Sequence, residues 1–189
     1  MSKNVSDIIK EIDQIDGKIQ DMLFFKFDYW AEHVIFSWRW WFGIGLTIIP
    51  WLIFWIVFRK KPYMDRLLFV AAWVMIISAL LDILGDQYGF WHYRFNVIPA
   101  VPTYFPWDYT LMPLSVILLL RIKPKANPLI KAIIFSLLTS FVGEPFFHWI
   151  DIYALDKWKY IFSVPIQILI YLFAHHIFTS RNKFEQADS

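Results

Sequence analysis

Apolar residues along the chain fall into five long stretches, which alternate with short segments rich in charged or turn-forming residues. Each stretch has close to the ~20 residues that an α-helix needs to cross ~30 Å of hydrocarbon. The pattern predicts an all-α fold, a polytopic membrane helical bundle with about five transmembrane helices. The predicted spans are Val34–Phe58, Leu67–Gly85, Pro106–Ile122, Pro128–Ile150 and Ile161–Phe178.

A segment with one apolar helical face, here called the seam, precedes the first span. Its apolar residues recur at spacings of three and four, the period of one face of an α-helix. We expect an amphipathic helix that lies on the bilayer surface or on the protein's own loops, with self-association through the seam as the alternative. An aromatic cluster follows, as is typical of the membrane–water interface. The seam is Val5, Ile8, Ile12, Ile15, Ile19 and Met22, and the cluster is Phe24, Phe25, Phe27, Tyr29, Trp30, Trp38, Trp40 and Trp41.

The chain contains no internal repeat, low-complexity tract or long linker. We therefore expect a single membrane domain with a short segment on either side. The expected division is an N-terminal amphipathic helix and interfacial aromatic segment at residues 1–30, a transmembrane helical domain at 31–180 and a cytoplasmic tail at 181–189.

Composition agrees with a membrane protein. The chain is 58% hydrophobic and 21% aromatic, more apolar than the roughly 45–50% of an average soluble domain, so the lipid bilayer is its first expected partner. The net charge of +2 is too small to indicate nucleic-acid binding. Cysteine is absent, which excludes disulfides, thiolate metal sites and a cysteine nucleophile.

Lysine and arginine accumulate at the span ends on one side of the membrane. Short cytoplasmic loops are enriched in these residues, so this side is predicted to be cytoplasmic. The C-terminus is then cytoplasmic, and an odd number of spans puts the N-terminus outside, where acids offset its lysines. The richer side has Arg59, Lys60, Lys61, Arg66, Arg121, Lys123, Lys125, Lys131, Arg181 and Lys183, and the opposite loops have Arg94, Lys157 and Lys159.

Two acids lie inside predicted spans, both near the outer side. Asp82 is three residues from the end of the second span, with Asp86 one turn beyond it, and Glu144 is six residues from the end of the fourth. An ionisable group in hydrocarbon costs at least ~2.5 kcal/mol, so one that persists there usually faces a cavity or a polar partner. Asp108 opens the third span from the same side and is expected to join them.

The loop from Asp86 to Trp107 is rich in aromatic residues and contains three prolines. It is too apolar for an ordinary water-exposed connection, and we expect it to fold over the acids as a lid. The sequence thus predicts one cavity in the outer half of the bundle. The predicted ligand-binding residues are Asp82, Trp91, Tyr93, Asp108, Glu144 and His148, and the candidate catalytic residues are Asp82, Asp108 and Glu144.

The surroundings of Glu144 carry two further signals. His148 and Asp151 follow it at spacings of four and seven, which would place all three on one helical face. Gly143 and Pro145 flank it and predict a bend, because proline cannot donate to the carbonyl four residues earlier. Glu144 and His148 alone are too few for a metal site, so no metal is predicted, and the sequence identifies no cofactor.

Each of these acids also has a structural interpretation. Asp108 precedes a helix and is a potential N-cap for the amide of Thr110 or Leu111. Asp82 and Glu144 can instead be hydrogen-bonded within the bundle and serve folding alone. The chain has no GxSxG, HExxH, Walker or dinucleotide-binding motif, so whether it is an enzyme stays open.

Taken together, several of these residues resemble a family of small multi-helix membrane proteins widespread in endospore-forming Gram-positive bacteria. The resemblance covers about residues 45–178 and implies a bacterial plasma membrane, with no known activity. It rests on Asp82, Gly89-Phe90-Trp91-His92-Tyr93, Pro106-Trp107-Asp108, Pro113, Glu144, Trp158-Lys159 and Ser163.

A more distant resemblance is to the membrane lycopene-cyclase domains of carotenoid synthesis. It rests on an intramembrane Asp82, followed by a Trp-x-Tyr element ending at Tyr93 and by Pro106 with Asp108. The paired glutamates of that family have no counterpart in this chain. The resemblance implies a mechanism in which a buried carboxylic acid protonates an alkene or another lipid-soluble substrate.

The sequence therefore predicts an integral membrane protein that binds a small molecule, lipid or ion in an outer-facing acidic and aromatic cavity. A membrane-embedded acid/base enzyme acting on a lipid-soluble substrate is one alternative. A non-catalytic membrane assembly or scaffold partner is the other. Convergence of the acids around an enclosed space would favour the first two over the third, since only converging groups can share a proton or a ligand.

Overall fold

The structure is a computed structural model and describes residues 4–187, with side chains described as far as Ser180. Seven α-helices account for most of this part of the chain, together with two π-helical turns and two short strands. The helices are Val5–His33 (α1), Trp38–Phe58 (α2), Met64–Gln87 (α3), Met112–Arg121 (α4), Pro128–Leu138 (α5), Glu144–Trp149 (α6) and Tyr160–Ala187 (α7). The π turns are Trp107–Leu111 and Thr139–Gly143, and the strands are Trp91–Tyr93 (β1) and Tyr153–Leu155 (β2).

Four helical segments are long and apolar enough to cross a membrane. They contain 21, 24, 22 and 21 residues, and they agree with the first, second, fourth and fifth predicted spans. These helices confirm the predicted all-α bundle and a multi-pass membrane protein. The four are Trp38–Phe58, Met64–Gln87, Pro128–Trp149 and Tyr160–Ser180.

The third predicted span is helical but shorter than the others. It consists of the first π turn and α4, which together run from Trp107 to Arg121. Most of α4 is buried, with Val116 and Ile117 fully inaccessible. Because α4 lies inside the bundle, its neighbours shield it from lipid and it does not need the full length of a lipid-facing helix.

The bundle has two differently built ends. The basic end carries the connections from α2 to α3 and from α4 to α5, and the roofed end carries residues 88–106 and 150–159, here called the roof. Toward the basic end the core is mainly aliphatic, and toward the roofed end it is mainly aromatic. The first core includes Leu67, Val70, Val74, Val116, Ile117 and Ala132, and the second includes Tyr104, Phe147, Ile152 and Tyr153.

The roof is held together by a small sheet that the sequence did not predict. Strand β1 pairs antiparallel with β2, with Trp91 opposite Leu155 and Tyr93 opposite Tyr153. Next to the sheet, the Phe90 carbonyl oxygen accepts the amide hydrogens of three successive residues, 156–158. The two long connections of the roofed end are thus joined into one unit.

Helix α1 confirms the predicted N-terminal amphipathic helix. None of its described residues is buried, and its seam residues are all exposed. Near its C-terminal end, the Trp30 indole nitrogen donates to the Asn96 carbonyl oxygen of the roof at 2.7 Å. The helix is therefore anchored to the roof at one end, and what its seam contacts stays a prediction.

Candidate functional site

A cavity of about 310 Å³ lies below the roof, between α3, α6, α7 and the first π turn. Its walls are largely aromatic and aliphatic, and its polar groups come from several helical segments. The polar lining residues other than tyrosine and tryptophan are Ser78, Asp82, Asp108, Glu144, Ser163 and Gln167. The aromatic lining includes Trp91, Tyr93, Tyr104, Trp107, Phe147, Tyr153 and Trp158.

Asp82 connects α3 to the roof. One of its carboxylate oxygens accepts the Trp91 indole N–H at 2.9 Å and the Tyr93 hydroxyl at 3.0 Å, and the other accepts the Tyr104 amide at 3.4 Å. Burial, with the neighbouring Asp82 charge adding to it, raises the pKa of Tyr93 well above that of a free phenol. Tyr93 therefore stays a neutral hydroxyl that can donate to the carboxylate.

Gly85 makes the Trp91 contact possible. A Cβ atom at this position would lie 2.0 Å from the Trp91 ring, far inside van der Waals contact. The glycine, one turn beyond Asp82, thus leaves a notch on α3 into which the indole fits. Without the notch, a Cβ atom would overlap the indole, and the ring could not reach the carboxylate from this position.

Asp108 lies within the first π turn and is fully buried. The Ser78 hydroxyl donates to its Oδ1 atom, and its carboxyl group is within hydrogen-bonding reach of the Asp82 carboxyl group. Two carboxyl groups this close can share one proton. The N-cap interpretation is wrong, because Asp108 lies inside the turn and makes no side-chain cap hydrogen bond.

Both π turns coincide with particular local contacts. Pro113 has no N–H for the Tyr109 carbonyl four residues earlier, and the Trp51 indole of α2 donates to that oxygen at 2.8 Å instead. The second π turn ends at Gly143, where a Cβ would approach the Trp107 ring to 3.0 Å. Single π turns inside α-helices occur frequently at functional sites. The π turn ends directly before Glu144, at the position where the sequence predicted a bend.

Glu144 is the first residue of α6 and is 8% exposed. Its carboxyl group lies near the Ser163 hydroxyl of α7, whose oxygen accepts the Trp158 indole N–H at 2.9 Å. The second carboxyl oxygen, Oε2, is buried and has no protein hydrogen-bond partner within the described part of the chain. Glu144 therefore retains free hydrogen-bonding capacity toward the cavity.

Five of the six predicted ligand-binding residues line the cavity, and His148 does not. The His148 ring is exposed and lies 2.6 Å from the Tyr160 hydroxyl. Four residues of helix advance the chain by about 6 Å along its axis. His148 does follow Glu144 by one turn on the same helix, but that advance carries it beyond the cavity.

Asp86 and Asp151, which share helical spacings with Asp82 and Glu144 in the sequence, are not part of the site. Asp86 is on α3 but outside the cavity lining, half-buried near Lys26. Asp151 lies beyond the end of α6, has a positive φ of 61° and binds Arg39 at 3.1 Å. The helical-face argument fails for Asp151 because the helix ends before reaching it.

Sequence reasoning did not single out several residues that complete the site. Ser78 lies four residues before Asp82 on α3, and Gln167 lies four residues after Ser163 on α7. Small polar residues at this spacing in an otherwise apolar helix were the available signal, since it places both side chains on one face. Tyr104 and Tyr153 carried no such signal, because their positions depend on the fold of the roof.

The three acids of the cavity are not arranged as a metal site. Within residues 4–187, no group of three His, Cys, Asp or Glu side chains could hold a metal ion. What they do form is a set of hydrogen-bond acceptors in an apolar enclosure. Comparison with known proteins adds no relative, since no family model, no curated protein and no solved structure matches this chain.

Proposed function

We propose that this protein is a membrane receptor or carrier that binds a small, largely apolar molecule in the cavity under its roof. The observation that carries the proposal is that Asp82, Asp108 and Glu144, from three different helical segments, converge on one aromatic-walled cavity. Buried carboxyl groups are costly at membrane depth, and sites for small molecules combine apolar walls with a few convergent polar groups.

The position of the cavity supports access from the lipid. Two of its lining residues, Leu84 and Tyr88, are 52% and 68% exposed and lie at the roofed end of α3. They stand next to the cavity on an exposed, apolar side of the bundle. An apolar molecule dissolved in lipid would reach the acids there without crossing the roof.

A second candidate function is favoured by the Asp82 and Asp108 pair. Because these two carboxyl groups are close enough to share a proton, one of them is suited to donate it to a bound substrate. The protein would then be an acid/base enzyme acting on a lipid-soluble molecule. Chemical conversion of a bound molecule, lost in Asp108→Asn, distinguishes this function from binding alone.

The proposed binding is tested with the purified protein in nanodiscs and three single-ring probes that share a para-fluorophenyl group. The probes are 2-(para-fluorophenyl)ethanol, the corresponding ethylammonium and para-fluorophenylpropanoate, and binding is followed by fluorine NMR. We expect at least one probe to bind, and Ile166→Trp to abolish this binding by filling the cavity. The control, Leu169→Trp, adds the same ring on α7 at a residue 67% exposed toward the outside. Equal binding to both variants, or no binding of any probe, would contradict the proposed function.

We further propose that the cavity faces outward in a bacterial plasma membrane, with the C-terminus in the cytoplasm. The clustering of lysine and arginine at the basic end supports this orientation. Because the chain has no cysteine, single cysteines at Lys61, Lys123 and Gln87 can be labelled in intact cells with an impermeant thiol reagent. We expect labelling at Gln87 alone, and labelling at Lys61 or Lys123 alone would reverse the orientation.

A further inference from the structure

The unpaired polar atoms of the cavity point to one ligand chemistry. Glu144 Oε2 is buried and has no protein hydrogen-bond partner in the described residues, and Asp108 Oδ2, also buried, has none other than the neighbouring Asp82 carboxyl group. Both are carboxyl oxygens, so neither assignment depends on which way an amide is turned. A buried acceptor without a partner is costly. A ligand that donates hydrogen bonds would remove this cost.

Three of the protein's own donors at the cavity are already used. The Trp91 indole and the Tyr93 hydroxyl both donate to Asp82, and the Trp158 indole donates to Ser163. The Tyr104 hydroxyl is unpaired, and it can accept a hydrogen bond as readily as donate one. Among the described lining residues, the buried atoms to which no donor is directed are therefore all oxygens: Asp108 Oδ2, Glu144 Oε2, Gln167 Oε1 and the Tyr104 hydroxyl.

The ionisable lining side chains other than tyrosine are all acids. Three carboxyl groups line it, and no lysine, arginine or histidine does so among the described residues. One proton shared between Asp82 and Asp108 still leaves a negative charge on that pair. An anionic ligand would be repelled, whereas a cation would be attracted to this low-dielectric site.

The walls suit a cation that has an apolar body. Trp91, Trp107 and Trp158 all line the cavity, and indole faces attract ammonium groups that lie over them. With ~30 Å³ for each water-sized group, the volume of about 310 Å³ has room for on the order of ten non-hydrogen atoms. A single-ring or short-chain amine has this size.

Resting on the proposed binding function, we infer that the ligand of this cavity is a small organic ammonium, with its charged end at Glu144 and Asp108 and its apolar body against the indoles. An ammonium group carries three donors and no acceptor, which matches an acceptor-rich site. Its apolar body matches the walls and allows it to approach through lipid.

The three probes described above share one fluorophenyl ring and differ in their head group, which is a hydroxyl, an ammonium or a carboxylate. Their affinities therefore show which head group the cavity prefers. We expect the ethylammonium to bind about ten-fold more tightly than the alcohol, and the propanoate to bind more weakly than both, since hydrogen bonds between charged partners are the stronger ones. Glu144→Gln should lower ethylammonium affinity about ten-fold and alcohol affinity less than three-fold. The control is Glu32→Gln, which removes the same charge from α1, where the side chain is 77% exposed, and should leave both affinities unchanged.

The outcomes distinguish this inference from the proposed function beneath it. Equal affinities for ethylammonium and alcohol, or an equal loss of both in Glu144→Gln, would contradict the inference that the ligand is an ammonium. The proposed binding function would still stand. No binding of any probe would overturn both. If Glu144→Gln fails to fold by thermal unfolding, Asp108→Asn replaces it in the same comparison.

Discussion

The two ends of this bundle differ in the side chains that form their cores and in the regularity of their helices. At the basic end, aliphatic side chains such as Val74 and Ile117 fill the core, and the surrounding helices are regular. At the roofed end, aromatic rings replace them, both π turns interrupt the helices there, and three carboxyl groups are buried.

The difference indicates how a small membrane protein can stabilise a buried polar site. Unpaired acceptors and irregular helix turns each cost free energy, and they persist only when the surrounding structure is stable enough to impose them. Tight aliphatic packing at one end supplies that stability. We therefore expect mutations at the basic end to act on stability and those at the roofed end to act on binding.

The largest expected effect is at the basic end. Ile117→Ala removes a fully buried side chain and should lower the free energy of unfolding in micelles by ~2–5 kcal/mol, because the cavity left behind is only partly refilled. The neighbouring Leu118, 38% exposed, is the matched control, and Leu118→Ala should cost less than half as much. Affinity for the probe that binds best should be unchanged in both. Loss of probe binding in folded Ile117→Ala would show that the two ends are not separate.

A smaller loss of stability is expected at the roofed end, together with a loss of binding. In Gly85→Ala the new methyl group overlaps the Trp91 ring, so the indole must move and its hydrogen bond to Asp82 is lost. We expect a cost of ~1–3 kcal/mol in thermal unfolding and weaker probe binding. Gly45→Ala is the control, since its Cβ would meet its nearest neighbour at an ordinary 3.7 Å, and it should be neutral or stabilising by up to ~1 kcal/mol. Equal stability of the two variants would remove the role assigned to the notch.

The smallest effect concerns the first π turn. Trp51→Phe keeps the ring in the core but removes the donor to the Tyr109 carbonyl, which should cost ~1 kcal/mol in chemical unfolding. Trp55, on the same helix and 53% exposed, provides the matched Trp55→Phe control with no comparable cost. An equal cost at both positions would mean that the indole hydrogen bond does not stabilise the turn.

The sequence predicted the parts of the molecule that depend on local pattern. Long apolar stretches predicted the helices, and the seam from Val5 to Met22 predicted α1. The convergence of Asp82, Asp108 and Glu144 was also accessible, because acids at matching depths of neighbouring spans lie at one end of the bundle. These features need only helix geometry and the thickness of a bilayer.

What the sequence did not predict depends on contacts between distant residues. The strands β1 and β2 have three residues each and pair across about sixty positions, so neither carries a periodic signal long enough to recognise. His148 was predicted to bind ligand because of its spacing from Glu144. That spacing predicts which face of a helix a residue occupies, but not how far along the helix the cavity extends. Gln167 was missed because a lone amide in an apolar helix does not indicate that it faces a cavity until the bundle is assembled.

The two π turns have a consequence for how such a chain tolerates insertions and deletions. A hydrogen bond from residue i to i+5 accommodates one residue more than the bond of an α-helix does. Removing one residue from Thr139–Gly143 would let the chain continue as a regular helix, with its apolar length almost unchanged. Because the π turn absorbs the additional residue locally, the residues on either side would keep their rotational register, and Glu144 would stay at the cavity. A chain one residue shorter in this turn could therefore insert and fold as well as this one and still carry its acid at the cavity.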